Sequence, residues 1–207
     1  MLAEDGTAVQ ILHVELAINN DSAARQLAQQ KQAYAEGLEE VELTEGYTLK
    51  PDGRHLPVQP EAVRTQLMPE TPNLPAYTDR KQMVAIFTDV AGGDTMIMTW
   101  RRKILRPMFP GQFALTAIFV RTAPWGDAEV TISTPANKPL LTEEHGPVRQ
   151  ETEEGGRHLY RWRYSANAIP EDQAVLSPLD RARACSPQRF RIGKPSAART
   201  TPLSRPK

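Results

Sequence analysis

Short runs in which apolar and polar side chains alternate recur along the chain, each closed by glycine, proline or asparagine. That two-residue period constrains the fold more than any other feature, because it sets every second side chain on one face of an extended strand. In residues 9–18, Leu12, Val14, Leu16 and Ile18 share a face, which predicts a first strand. Val41, Leu43, Tyr47 and Leu49 alternate in the same way. The stretch Lys50-Pro51-Asp52-Gly53-Arg54 then supplies proline for a first turn position and glycine for a positive φ. With Leu56 and Val58 beyond it, this is a hairpin. Residues 83–87 and 96–100 flank Ala91-Gly92-Gly93-Asp94 and predict a second hairpin. Residues 113–121, 129–134 and 158–164 read as further strands, rich in aromatic and β-branched side chains. With no amphipathic helices between them, these strands imply an all-β, antiparallel sandwich over residues 1–177.

Other segments are less periodic. Asn19-Asn20-Asp21-Ser22 is a turn or helix N-cap signal, and residues 23–34 favour helix by propensity without an apolar stripe. Either an exposed helix or a polar strand fits. Between Pro57 and Pro75 five prolines and little periodicity predict a covering loop. Residues 178–207 hold five prolines and few large apolar side chains, too little burial to offset an ordering entropy of roughly 1–2 kcal/mol per residue. They are expected to form a disordered, basic tail.

The formal net charge is zero, but eight Lys or Arg and a single acid fall in 178–207, leaving an acidic body. Cys185 is the one cysteine, which excludes an intrachain disulfide and a zinc site built on several thiolates. No apolar run approaches the roughly 18 residues of a membrane span, and residues 1–20 lack a basic then apolar leader.

The order of features resembles a known family. Tyr34 is followed by Leu38-Glu39-Glu40-Val41-Glu42-Leu43, then Tyr47-Thr48-Leu49-Lys50-Pro51-Asp52-Gly53-Arg54, then Tyr77-Thr78-Asp79-Arg80-Lys81. Asp89-Val90-Ala91-Gly92-Gly93-Asp94, Ile132-Ser133-Thr134-Pro135 and Tyr160-Arg161-Trp162 complete the series. Together these resemble DUF3857, the N-terminal domain of bacterial transglutaminase-like proteins. The resemblance implies an immunoglobulin-like sandwich in which residues 24–34 are strand. It also implies a leader ahead of the domain and a catalytic transglutaminase-like domain behind it, neither legible here. The Arg- and Pro-rich tail looks like a shifted reading frame, so truncation after about Pro178 is expected.

A transglutaminase-like site needs a cysteine followed by a histidine and an Asp or Asn. None of the residues after Cys185 is His, Asp, Asn or Glu, so Cys185 reads as an incidental thiol. His13, His55, His145 and His158 are scattered, with no metal-ligand spacing. The carboxylates at Glu36, Glu39, Glu40, Glu42, Glu45 and at Glu143, Glu144, Glu151, Glu153, Glu154 read as solvated faces. Gly92-Gly93 and Gly155-Gly156 lie between strands and read as turns, not phosphate cradles. Trp100-Arg101-Arg102-Lys103, with Arg161 and Arg163, has the composition of a basic aromatic patch. Beside an acidic body, an interstrand salt-bridge ladder fits it better than nucleic-acid binding. Trp100, Trp125 and Trp162 read as core. No catalytic, cofactor-binding or metal-binding residue is therefore assigned. The chain is expected to be a non-catalytic accessory domain, not an enzyme, partnered by a transglutaminase-like catalytic domain. By the resemblance it belongs in the periplasm or cell envelope. The alternative is a free-standing module binding an extracellular peptide or carbohydrate, which an exposed row of aromatics would favour.

Overall fold

Alternation becomes strand in the computed structural model, which describes residues 1–68, 80–107, 113, 115–119, 125–144, 148–166 and 188–193. The chain divides into two units, Thr7–Met108 on one side and Met1–Gly6 with Phe109–Lys207 on the other. Every strand pairing is antiparallel. The all-β sandwich expected from the sequence is what forms.

The Thr7–Met108 unit contains β1 (Ala8–Ala17), α1 (Asp21–Leu27), β2 (Gln29–Ala35), β3 (Glu39–Leu49), β4 (His55–Pro57), β5 (Val63–Leu67), β6 (Arg80–Ile86) and β7 (Thr95–Ile104). One sheet runs β1-β7-β3-β4 and the other β2-β6-β5. Between them Met96, Met98, Trp100 and Val41 meet Ala85 and Phe87, with Val14, Leu16, Met83, Val63 and Tyr34 packed around. Arg102 of β7 straps the two sheets, donating to Glu39 Oε2 (2.8 Å) and to the Ala33 carbonyl of β2 (2.8 Å).

Three local expectations change. Residues 24–34 are not one strand. Asn20 Oδ1 accepts from Ala23 N (2.9 Å), starting α1, and β2 begins only at Gln29. The cap and an alanine pair win the first half, and pairing with β6 wins the second. The loop expected over 57–75 contains a 3₁₀ turn at Pro60–Ala62 and then β5, paired to β6. Its Arg64, Thr65 and Gln66 are exposed, so edge hydrogen bonding forms a strand that hydrophobic alternation does not announce. Residues 69–79 lie outside the described set. The β3–β4 hairpin forms as expected around Gly53 (φ +84°). The 83–100 hairpin does not, because β6 and β7 belong to different sheets. Phe87 N donates to Ala28 O and Gly93 N to Ile18 O, carrying the connection across the core.

The second unit contains β8 (Leu115–Phe119), β9 (Trp125–Pro135), β10 (Leu141–Glu144), β11 (Val148–Glu154), β12 (Arg157–Ala166) and β13 (Gln188–Gly193). Its sheets run β11-β12-β9 and β10-β13-β8. Ile132, Tyr160 and Trp162 are buried at its centre, with Phe113, Leu115, Val130, Leu140 and Tyr164 against them. β13 lies within the segment read as a disordered tail and sits between β10 and β8. Backbone pairing on both sides supplies what its composition lacks, and the rest of 178–207 lies outside the described residues.

Glu154 pairs with Arg157 across Gly155 (φ +56°) and Gly156 (φ +71°), a two-residue turn of the mirror-image type. Left-handed backbone costs a side chain about 1–2 kcal/mol. Gly156→Ala is therefore expected to lower the urea midpoint by that much stability, and an unchanged midpoint would mean the turn adapts.

Candidate functional site

Two motif segments that carry the resemblance, separated in sequence, meet in space. Lys50 closes β3, and its turn is fixed by Gly53 N donating to Lys50 O and by Arg54 donating to both carboxylate oxygens of Asp52. Those bonds from the Arg54 backbone and side chain hold the Asp52 carboxyl below its usual range. Opposite stands the connection ahead of β7, where Asp89 takes a left-handed backbone (φ +52°).

Lys50 reaches into that connection. Its Nζ lies 3.0 Å from Asp94 Oδ2 and 3.2 Å from Asp89 Oδ2, and it donates to the Asp89 carbonyl. The Lys50 side chain is 10% exposed and that of Asp94 2%. Asp94 Oδ2 also accepts from Ala91 N (2.7 Å), and the buried Thr48 hydroxyl donates to Thr88 O. The same connection is tied to α1, since Asp21 Oδ1 accepts from Gly92 N (2.9 Å). A Cβ at Gly92 would stand 3.0 Å from the Asn20 backbone, so a side chain there would make the two segments give by a few tenths of an ångström.

The hydrogen bond to Asp94 outweighs burial and raises the Lys50 pKa. Three oxygens take up the three ammonium donors, and a protonated amine has no lone pair to act as nucleophile or base. The cluster braces the turn after β3 against the connection ahead of β7.

The other sequence candidates are spread over separate surfaces. His13 Nδ1 is 2.9 Å from Thr99 Oγ1, and its Nε2 is 3.4 Å from Glu15. The order carboxylate, imidazole, hydroxyl is that of a nucleophile relay, but the Thr99 hydroxyl also donates to Glu45 Oε2 (2.9 Å). The row lies across the exposed face of β1, β7 and β3. His55 stacks on Tyr47, with ring centroids 4.7 Å apart. His158 lies between Glu151 and the Ala136 carbonyl. His145 and Cys185 fall outside the described residues. Among those described, no group of three His, Cys, Asp or Glu could hold a metal. No described helix is long and apolar enough to cross a membrane.

The cations form the interstrand ladder expected of them, with glutamates that read in the sequence as a solvated face. Register places Glu42 opposite Arg101 and Glu40 opposite Lys103, and Arg102 pairs with Glu39 at 2.8 Å. In the second unit Arg161 and Arg163 both meet Glu129, and the bond from Arg163 lowers the Glu129 pKa. Glu36 pairs with Lys81, while Glu151, Glu153 and Glu154 lie exposed on β11. Trp100 and Trp162 are core residues, 3% and 0% exposed. Of Trp125 only its place at the start of β9 is described. Sequence reasoning missed the Lys50–Asp94 pair. The signal was an aspartate directly ahead of an apolar strand, a place where a buried charge needs a partner.

A family model described as a domain of unknown function with a solved structure, DUF3857, matches residues 4–170. Among curated proteins none matches. The crystal structure of a "putative protease" from Parabacteroides distasonis superposes with a TM-score of 0.79 at 20% identity. That match takes in 94% of this chain and 38% of the other, so the chain spans well under half of that protein's length. At such identity the likeness speaks for the fold. With the family match covering most of its length, the chain belongs to the DUF3857 family.

Proposed function

We propose that the chain is a non-catalytic accessory domain that positions or shields a transglutaminase-like catalytic domain in the cell envelope. The observation that carries this reading is the Lys50–Asp94–Asp89 brace, in which the charged groups of two motif segments saturate one another. What makes this domain recognisable is spent on holding its own shape. A second support is the 38% share of the similar structure, in which the matched region is one part of a longer polypeptide. The transglutaminase-like partner and the envelope location rest on the resemblance set out above.

The free-standing peptide or carbohydrate binder would draw on exposed aromatics, and Trp100 and Trp162 are packed in cores. The test is to incubate the purified chain with a glutamine-donor protein and a fluorescent amine, and separately with casein. No amine incorporation and no cleavage are expected. Turnover that Thr99→Ala or His13→Ala abolishes would overturn the reading and assign the chemistry to the surface row.

A further inference from the structure

The three strands of the β2-β6-β5 sheet contain no Asp or Glu, although the body of the chain is acidic. They carry Lys31, Arg64, Arg80 and Lys81 instead. Tyr34, Val63, Met83 and Ala85 pack toward the core. Lys81 shares a row with Tyr34 and pairs with Glu36. Strand alternation turns Lys31, Arg64, Arg80, Gln66, Gln82 and Val84 to the opposite face.

On that face the side chains fall into rows. Lys31 and Arg64 flank Val84, Ala33 and Gln66 flank Gln82, and Arg80 stands opposite Ala35. The three cations and Gln66 are exposed, whereas Val84 and Gln82 are 3% and 7% exposed. Long cationic side chains keep their charged ends in water while their stems cover apolar neighbours, which fits exposed Lys31 and Arg64 beside buried Val84. Among the described residues none of these cations has a carboxylate partner, and Gln82 makes no side-chain hydrogen bond. Arg64 Nε donates to the Glu61 carbonyl (3.3 Å), a contact that neutralises no charge. On the other sheet, by contrast, Arg101, Arg102 and Lys103 each face a glutamate.

We propose that this face docks an acidic segment of a partner protein, laid extended along β6 with a carboxylate at every second residue. Rows on a strand recur about every 7 Å, and so do the same-side side chains of an extended ligand. One carboxylate then accepts from Lys31 and Arg64, whose Cα atoms stand about 10 Å apart across Val84. The next accepts from the Gln82 amide, and the third meets Arg80. The rows hold no aromatic ring of the kind on which single-stranded nucleic acid stacks. Three cations also fall short of the roughly four to eight that mark a lipid-headgroup cluster. The inference is independent of the catalytic-domain reading.

Fluorescence anisotropy tests this, with the full chain titrated at low salt into a labelled peptide of alternating serine and glutamate. Saturable binding is expected that weakens as sodium chloride is added, with none to a peptide of alternating serine and glutamine. Lys31→Glu or Arg64→Glu should each weaken binding roughly tenfold, equivalent to about 1.4 kcal/mol. Lys103→Gln, in the ladder of the other sheet, should leave it unchanged. Far-UV circular dichroism checks that the variants fold. If the charge reversals do not fold, Lys31→Gln combined with Arg64→Gln should weaken binding in their place. No binding at low salt, equal binding of the neutral peptide, or indifference to the substitutions overturns the proposal. A chain that ignores the peptide but sediments with phosphatidylglycerol vesicles overturns it too, and assigns the face to a membrane surface.

Discussion

Truncating Trp162 to alanine is expected to remove about 3–5 kcal/mol of stability, the usual cost of deleting a large ring from a packed core. Trp162 is fully buried on β12, where it lies against Tyr160 with ring centroids 6.2 Å apart. Among the described residues, Ile132 and Tyr160 are the buried hydrophobics clustered with it, so few neighbours are able to collapse into the space. Tyr160 is itself held by its hydroxyl, which accepts from Leu140 N, and this limits its movement into the cavity. Urea denaturation followed by far-UV circular dichroism reads the loss. A loss under about 1 kcal/mol would mean that the second unit packs around something other than this ring.

Asp94→Ala should be the most damaging polar substitution, lowering the melting temperature by at least about 5 °C. It withdraws the principal counter-charge of Lys50 and also the acceptor of Ala91 N, at a position 3% exposed. Asp94→Asn keeps an acceptor but no charge and should fall between alanine and the native residue. The pH dependence has a definite sign. Because the folded state raises the Lys50 pKa above 10.5, its contribution is present below that value and is lost as pH rises past it. Because Asp89 still faces Lys50, an Asp94→Ala variant should show a smaller alkaline loss than the native chain, and differential scanning calorimetry across the alkaline range would detect it.

Strands that bury one face were legible in the sequence. β1, β3, β9 and β12 alternate because the core takes every second side chain, and they appear close to where the pattern places them. β11 and β5 expose most of their residues, so no periodicity marks them, and only backbone pairing makes them strands. Membership of a sheet was not legible either. Gly92-Gly93 announces a change of direction but not that β7 leaves the sheet of β6. The division at Met108 leaves no compositional mark. The cations at 101–103 were readable as members of an interstrand ladder, but glutamates 39, 40 and 42 read as a solvated face, and only strand pairing shows them to be the partners. The brace was harder to see, since Lys50 and Asp94 lie far apart in sequence and each alone resembles a surface residue.

The claim that motif residues serve the fold is tested most directly by a double-mutant cycle between Lys50→Met and Asp94→Asn, read as urea midpoints. Each single variant should be clearly less stable than the native chain, and the double variant should lose less than the two losses combined, because it strands no buried charge. Small losses that simply add would contradict the account and free Lys50 and Asp94 for another role.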